Sequence, residues 1–407
     1  MNEPSPGAPF RQRLGTLKLE GLKAAVDLVE LILSEARRAG ASDVHLLPTP
    51  EGLEMRWRVD GVLRPVEVLP KGLAPNVIAR LKVLAELLTY RSDVPQEGRV
   101  RGSGGEGEVR VSTLPTLHGE KAVIRLFAGT GRYLRLDDLG LPVDIREALA
   151  RNLGETSGAI LLTGPAGSGK TTTIYACLRE LVEAGQGRRS LVTLEDPIEV
   201  AVPGVTQSQV NAAAGFDLEV GLRSLMRQDP EVIAVGEIRD RSTAEVAFQA
   251  SLTGHLVLTT FHAGSAAGAI GRLADMGIEP YLIRSGLLAV VSQRLVRTLC
   301  DCSRPDDDPR GRLALPVARS RLAVGCDRCG GTGYRGRMLL AELLEPERLG
   351  LGPAILARSD IKALESEAER AGMVGRWGRA CRAIEAGHTS AAEVRRVLGF
   401  GEVQVGP

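Results

Sequence analysis

The apolar stretch AILLT at residues 159–163 leads directly into the octapeptide GPAGSGKT at 164–171, and TTTIYACLREL continues over 171–181. The first stretch predicts a buried strand, and the last has the composition of a helix. A glycine loop between a strand and a helix, ending in Lys-Thr, is typical of a phosphate-binding loop. Its glycines let successive backbone amides face phosphate oxygens, and the start of the helix adds partial positive charge.

This phosphate loop, residues 164–171, predicts a site for ATP and Mg2+. Lys170 is expected to reach the β- and γ-phosphates, and the hydroxyl of Thr171 is expected to ligate Mg2+. A chance glycine turn is the alternative, but it would have to reproduce strand, loop, Lys-Thr and helix in that order. The residues expected to bind the nucleotide are Gly164, Pro165, Ala166, Gly167, Ser168, Gly169, Lys170, Thr171 and Thr172.

Around this loop, wholly apolar strands alternate with helical stretches from about residue 138 onward. The strands are AILLTG, SLVTLED, EVIAVGE and HLVLTTF. Strands that are apolar throughout are typical of a parallel sheet buried on both faces, so an α/β domain is predicted. No repeat of fixed period is present, which argues against a solenoid or a propeller.

Two of these strands end in carboxylates, in LEDPIE at 194–199 and in VIAVGEIRD at 232–240. Ligands of open α/β sheets bind beyond the carboxyl ends of the strands. Taken alone, Glu195 and Glu237 could each be a solvated strand end. Together with the phosphate loop, they are expected to hold Mg2+ through water and to orient the attacking water.

The chain before this domain has a different pattern. Residues 1–20 are rich in Pro and Gly and predict a flexible tail. Helical spacing, short alternating strands and a second helical run predict a small α+β domain over 21–128. The segment 129–142 carries Gly and Pro without a sustained period, so it is expected to be a linker.

Composition excludes several classes of protein. The chain has 407 residues, a net charge of +1 and 25% charged residues, which indicates an ordinary globular protein of two or three domains rather than a disordered one. Its start lacks the apolar core of a secretory signal, and no window reaches the roughly 18 apolar residues of a membrane helix. The sequence therefore predicts a cytoplasmic protein.

Four of the six cysteines form two close pairs, Cys300-Asp301-Cys302 and Cys326-Asp327-Arg328-Cys329, separated by 23 residues. This spacing is compatible with a zinc site that staples a small arm lacking a core of its own. Free thiols are the alternative, since one residue alone separates the first pair. Cys177 and Cys381 are expected to be packing residues. The expected zinc ligands are Cys300, Cys302, Cys326 and Cys329.

The motifs together resemble the superfamily of ATPases of type II secretion and type IV pilus assembly. The phosphate loop, the acidic box LEDPIE, the acidic strand VIAVGEIRD and a histidine box, TGHLVLTTFHA, occur in that family's order. Flanking stretches, from ASDVHLLP, RWRVDG and PQEGR to QRLVRTLC and CDRCGGTGYRGR, extend the resemblance over about 22–345. It implies a RecA-like ATPase domain over 143–345 with a cysteine arm at 297–337, a PAS-like α+β domain before it, and C-terminal helices over 346–407.

The resemblance also implies roles for single residues. Glu195 resembles the acidic-box residue proposed to activate water, and Glu237 resembles the glutamate that supports Mg2+ or the water, so the identity of the base stays open. His255 and His262 match the two histidines of the histidine box and are expected to sense the γ-phosphate, although a lone histidine is more often a core residue.

Four arginines resemble those that the family places around its nucleotide, where a guanidinium stabilises charge on the transferred phosphate. Surface salt bridges are the alternative for each of them. Because two of the four precede the linker, the resemblance implies that closure between domains or subunits completes the site. The four are Arg110, Arg125, Arg223 and Arg227.

The function implied is that of a homo-hexameric ATPase at the inner face of the cytoplasmic membrane, working with a platform protein and a membrane-anchored docking protein to assemble pilin-like subunits. With about twenty residues before its first domain, the chain is expected to lack the extra docking domain of some relatives. A retraction motor is an alternative, but its branch generally lacks the four cysteines.

Two further alternatives have weaker support. A nucleic-acid translocase would need a basic surface interleaved with aromatic residues, and aromatic residues are 3% of the chain, so no nucleic-acid partner is expected. A nucleotide-binding scaffold without turnover is opposed by the presence of Lys170, Thr171, Glu195 and Glu237.

Overall fold

A computed structural model of the chain describes residues 7–17, 21, 23–100, 109–126 and 133–401. The chain divides into two compact units. The first unit comprises Met1–Gly131, Leu299–Arg304 and Ala323–Gly336, and the second comprises Arg132–Thr298, Pro305–Leu322 and Arg337–Pro407.

The first unit is an α+β fold, as predicted. Its helices are α1 (Ala8–Leu14), α2 (Ala24–Arg38) and α3 (Ala74–Leu84). Its strands are β1 (Ala41–Pro48), β2 (Gly52–Val59), β3 (Val62–Pro70), β4 (Gln96–Val100), β5 (Val109–Thr116) and β6 (Gly119–Leu126). They form an antiparallel sheet in the order β3-β2-β1-β6-β5-β4.

The local sequence accounts for helix α2 and for the turn between β2 and β3. Helix α2 buries Leu28, Val29 and Ile32, which share one helical face, against the alternating apolar positions of the sheet. Strands β2 and β3 are joined by Asp60 and Gly61, both at positive φ (50° and 78°), the backbone that a two-residue hairpin turn requires. Residues 101–108, most of the glycine-rich stretch RGSGGEGEV between β4 and β5, lie outside the described residues.

The structure corrects the prediction of a flexible tail for the described residues 7–17. Helix α1 forms there, and its Phe10 is fully buried, edge-on to Trp57 of β2 with 5.9 Å between ring centroids. Arg13 also lies 2.9 Å from the buried carboxylate of Glu35. Burial of the Phe10 ring therefore stabilises α1 against the rest of the unit, although the composition of this segment alone favours a loop.

The second unit is the α/β fold expected from its apolar strands. Its helices are α4 (Val143–Leu153), α5 (Lys170–Gly185), α6 (Leu218–Leu225), α7 (Arg241–Leu252), α8 (Ala266–Asp275), α9 (Pro280–Gly286), α10 (Gly352–Leu356), α11 (Ile361–Arg370), α12 (Arg376–Glu385) and α13 (Ala391–Leu398). Its strands are β7 (Gly158–Thr163), β8 (Leu191–Glu195), β9 (Thr206–Gln209), β10 (Val232–Val235), β11 (Leu256–Phe261), β12 (Leu287–Leu299), β13 (Arg304–Pro305), β14 (Arg321–Leu322) and β15 (Tyr334–Leu344).

The large sheet of this unit has the order β15-β12-β7-β11-β10-β8-β9. Strands β12, β7, β11, β10, β8 and β9 pair in parallel, and every residue of β7, β8, β10 and β11 is buried. The carboxyl ends of these strands therefore share one edge of the sheet, which we call the carboxyl edge. The phosphate loop follows β7 at this edge.

Three predicted boundaries differ from the structure. Part of the expected linker forms a 3-10 helix, Leu136–Leu139, whose Leu136 is buried in the core beside α5. The C-terminal helices do not form a separate segment, because Leu364 of α11 packs in the same core as Phe248 of α7. The cysteine arm is also divided, since its cysteine-bearing segments belong to the first unit and Pro305–Leu322 belongs to the second.

Among the described residues, none of the helices has both the length and the apolar character needed to cross a membrane.

Candidate functional site

The phosphate loop lies between the end of β7 and the first turn of α5. Gly164, Gly167 and Gly169 have φ values of 146°, 73° and 95°, which L-residues with side chains rarely adopt. A Cβ on Gly164 would also lie 2.4 Å from the carbonyl oxygen of Gln293. Helix α5 has no side-chain cap at its amino end, so its first amides are available to an anionic ligand.

The Lys170 side chain is buried within the loop. Its Nζ donates hydrogen bonds to the carbonyl oxygens of Gly164 at 2.7 Å and Pro165 at 3.0 Å. Burial lowers the pKa of Lys170, while the negative charge of Glu237 opposes this shift and the positive charge of Arg294 adds to it. The ammonium group is thus held by neutral carbonyl oxygens, which an incoming phosphate can replace with stronger charge-assisted bonds.

Hydroxyl groups in the loop fit a phosphate and its Mg2+. The Oγ of Ser168 is buried and has no hydrogen-bond partner among the described residues. Thr171 and Thr172, in the first turn of α5, are exposed. A buried hydroxyl without a partner is costly, so a ligand oxygen at Ser168 would satisfy a group that the protein leaves unsatisfied.

Glu237 and His262 meet beside the loop. His262 Nε2 lies 2.6 Å from Glu237 Oε1, and His262 Nδ1 lies 3.1 Å from the carbonyl oxygen of Gly164. A carbonyl oxygen only accepts, so Nδ1 is the donor in the contact with Gly164. Arg239 Nε donates to the other oxygen of Glu237 at 2.6 Å. Lys170, Glu237 and His262 are therefore brought together around Gly164.

Glu195 ends β8 and is almost fully buried, with 6% of its surface exposed. Its Oε1 accepts hydrogen bonds from Thr193 Oγ1 at 2.6 Å and from Gln207 Nε2 at 2.9 Å. Its Oε2 accepts one from the hydroxyl of Tyr175 at 2.5 Å. Tyr175 lies on α5, five residues after Lys170. Sequence reasoning missed Tyr175 and Gln207, because neither belongs to a chemical motif.

The structure does not bring His255 to this site. His255 directly precedes β11 and His262 directly follows it, so they lie at opposite edges of the sheet, roughly 20 Å apart for a six-residue strand. His255 Nδ1 instead lies 3.0 Å from the carbonyl oxygen of Ala250. Within this unit the length of β11 separates His255 from the carboxyl edge, and its expected role at the γ-phosphate stays a prediction.

Two of the predicted arginines, Arg223 and Arg227, contact residues of α6. Arg223 is in the last turn of α6 and pairs with Glu219 of the same helix at 3.0 Å. Arg227 follows this helix, and its guanidinium lies 3.4 Å from Ser224 Oγ.

The other two predicted arginines belong to the first unit. Arg110 of β5 and Arg125 of β6 are direct cross-strand partners. Arg125 Nε lies 3.1 Å from Asp43 Oδ1 on the neighbouring strand β1. The sheet therefore places the two arginines directly opposite each other on neighbouring strands, with a carboxylate next to Arg125.

The four predicted zinc ligands form one cluster. Their sulfur atoms all lie within 4.8 Å of one another, and three pairs are 3.8–3.9 Å apart. Four sulfurs placed tetrahedrally about 2.3 Å from a zinc ion would be roughly 3.8 Å apart, so the cluster fits zinc despite its shortened first pair.

The surroundings of Cys329 favour the thiolate form that binds metals. Burial raises the pKa of Cys329, but hydrogen bonds from the backbone amides of Cys326 and Gly333 outweigh this effect and lower the pKa to about 6. All four cysteines are free of disulfides. Cys177 and Cys381 are buried in apolar cores, as expected for packing residues.

Comparison with known proteins identifies the family of this chain. The family model described as "Type II/IV secretion system protein" matches residues 18–396. The chain belongs to this family. The resemblance inferred from its motifs is thereby confirmed.

Two relatives and one solved structure show the extent of the similarity. The type II secretion system ATPase E of Vibrio cholerae is 45% identical over 328 residues, covering 78% of this chain and 65% of that protein. The type IV pilus assembly ATPase PilB of Thermus thermophilus is 41% identical over 361 residues, covering 86% of this chain and 40% of that protein. The chain thus spans less than two thirds of either relative.

The solved structure is the crystal structure of the pilus retraction motor PilT with bound ADP. It matches with a TM-score of 0.55 and 25% identity, covering 84% of this chain and 89% of that one. This match confirms the α/β ATPase fold expected from the sequence.

Proposed function

We propose that this chain is an ATP-hydrolysing motor of a type II secretion or type IV pilus assembly system. The observation that carries the proposal is the convergence of Lys170, Glu237 and His262 on Gly164, at the start of a phosphate loop whose amides are available to an anion. Relatives named as a secretion ATPase and a pilus assembly ATPase, together with a structure that holds ADP, support it.

In this proposal the chain's own groups bind and orient ATP. The loop amides and Lys170 bind the β- and γ-phosphates, and Thr171 holds the Mg2+ that neutralises charge on them. Glu195 positions and activates the attacking water. Glu237, hydrogen-bonded to His262, acts beside the γ-phosphate. Its proximity to Lys170 and its bond to His262 support this division of roles.

In this proposal, closure of the nucleotide site drives the mechanical work that the chain does on the secretion or pilus assembly system. We propose that the chain acts as a homo-hexamer in the cytoplasm, peripheral to the inner membrane, against a platform protein and a membrane-anchored docking protein. Arg110 and Arg125 would complete the site when domains or subunits close, since a guanidinium contributes most when charge develops on the transferred phosphate. Zinc held by the four cysteines would keep the two cysteine-bearing segments together.

The test of this function is Mg2+-dependent ATP turnover by the purified chain and its Lys170→Ala variant. Loss of the ammonium group should lower kcat about 100-fold or more, as expected for a group that stabilises transferred charge. Lys362→Ala, which removes an exposed lysine of α11, is the matched control and should turn over ATP like the wild type. Wild-type turnover by Lys170→Ala, with contaminating ATPase excluded, would defeat the proposal.

A further inference from the structure

The carboxylate of Glu195 accepts hydrogen bonds from three side chains, none of which belongs to a sequence motif beside it. A carboxylate offers about four lone-pair directions for hydrogen bonds. Thr193 and Gln207 occupy the two on Oε1, and Tyr175 occupies one on Oε2. One direction on Oε2 is left, and the burial of Glu195 restricts what can reach it. The three donors therefore set both the rotation of the carboxylate and the direction of its remaining acceptor site.

Among these donors, Tyr175 alone comes from the helix that begins at the phosphate loop. Its ring is 5% exposed, and its hydroxyl also accepts a hydrogen bond of 3.1 Å from the backbone amide of Glu199. The hydroxyl thus joins α5 to Glu195 and to the segment after it. Burial and the adjacent Glu195 raise the pKa of Tyr175, so the phenol keeps its proton and stays a donor.

The sheet order separates the phosphate loop from Glu195. Strands β11 and β10 lie between β7, which leads into the phosphate loop, and β8, which ends at Glu195. At roughly 4.8 Å between neighbouring strands, this is a separation of about 14 Å across the sheet. Helix α5 connects β7 to β8 along the chain, and its Tyr175 is hydrogen-bonded to Glu195, so a displacement of α5 reaches Glu195 through a single hydrogen bond.

We infer that Tyr175 is a positioning residue, whose hydroxyl orients the Glu195 carboxylate for attack by water and couples that orientation to the phosphate-loop helix. This inference rests on the proposed ATP hydrolysis and on the role of Glu195 within it. Tyr175 itself is not expected to touch the nucleotide, so its loss should alter turnover and leave binding unchanged.

The experiment measures kcat and KM for ATP in the full chain and in Tyr175→Phe, Glu195→Gln and the double variant. Tyr175→Phe should lower kcat about 10- to 100-fold, the cost of a misplaced reacting group, with KM unchanged. In the Glu195→Gln background the same change should have no further effect, since two groups that act as one unit are not additive. Tyr281→Phe, at an exposed tyrosine of α9, is the matched control and should behave as wild type.

A merely structural role gives a different result. If Tyr175 only stabilised the fold, its change would lower the melting temperature and reduce kcat equally in both backgrounds, which would overturn the inference. Unchanged kcat in Tyr175→Phe, or in Glu195→Gln, would overturn it too. Gln207→Met is a second variant for the case in which Tyr175→Phe folds poorly. It removes another donor to the same carboxylate, so we expect it to lower kcat and to have no further effect in the Glu195→Gln background. Turnover by Lys170→Ala would instead overturn the proposed function itself.

Discussion

At the residue scale, the carbonyl oxygen of Gly164 is the point where the phosphate loop meets His262, which directly follows β11. It accepts hydrogen bonds from both Lys170 Nζ and His262 Nδ1. When a nucleotide binds, its phosphates attract the ammonium group of Lys170 away from this carbonyl. His262 then remains as the hydrogen-bond donor to the carbonyl, and its other nitrogen contacts Glu237. His262 is thus placed to transmit the occupancy of the loop to Glu237.

The two histidines of the histidine box allow a matched test of this role. His262→Ala should lower kcat about 10- to 100-fold, because Glu237 loses the partner that fixes one of its oxygens. His255→Ala should turn over ATP like the wild type, because β11 keeps that side chain at the opposite edge of the sheet. Steady-state ATP hydrolysis by both variants, with their melting temperatures, makes the comparison.

Equal losses of kcat in the two histidine variants, at equal stability, would contradict this assignment. They would show that His255 reaches a nucleotide by a route outside its own sheet, for example in an assembled ring.

Local sequence predicts part of this site for a clear physical reason. Parallel strands share a carboxyl edge, so a phosphate loop after one strand and acidic residues after two others had to lie along the same edge. The same argument, applied to the length of β11, would have separated His255 from His262. The bond between Tyr175 and Glu195 could not be predicted, because it depends on sheet order and helix rotation, which no local pattern encodes.

At the element scale, the four cysteines join two segments of the cysteine arm. Cys326 caps and Cys329 ends a 3-10 turn, Asp327–Cys329, and Cys300 and Cys302 follow the end of β12. We expect the purified protein to contain about one zinc ion per chain. Elemental analysis measures this content directly.

Removal of that metal should act locally. Chelation, or Cys302→Ser, should make residues 300–333 sensitive to limited proteolysis while nucleotide binding persists, because the phosphate loop belongs to a different core. Cys177→Ala, in α5 away from the cluster, is the control and should keep its zinc. A metal-free protein whose arm resists protease would show that the four thiols pack without an ion.

Helix α1 and the C-terminal helices depend on tertiary contacts that local sequence patterns do not predict. The strands and α2 follow from their spacing of apolar residues, since each has a complete face to bury. The seven-residue helix α1 depends on one ring, Phe10, finding Trp57 some fifty positions away along the chain. Whether C-terminal helices pack on the ATPase core likewise depends on tertiary contacts such as that of Leu364 with the core of α7.

At the scale of the whole molecule, the residues proposed to act on ATP are divided between the two units. The phosphate loop and both glutamates belong to the second unit, whereas Arg110 and Arg125 belong to the first. As cross-strand partners, the two arginines place two positive charges on neighbouring strands of one sheet. If this pair acts on ATP, turnover depends on the units or neighbouring subunits closing together, and nucleotide state then drives movement.

The last prediction concerns this closure. Arg110→Ala and Arg125→Ala should each lower kcat about 100-fold or more with little change in ATP affinity, because their charge contributes mainly when the site closes. Arg91→Ala, at an exposed arginine of the same unit, should leave both unchanged. Turnover per chain should also rise with protein concentration or with added platform protein, since a ring must form before neighbours can complete one another's sites. Activity and mass measured across one dilution series decide the matter: a strictly monomeric species with undiminished turnover, insensitive to both arginine changes, would exclude a ring motor even though ATP hydrolysis survived.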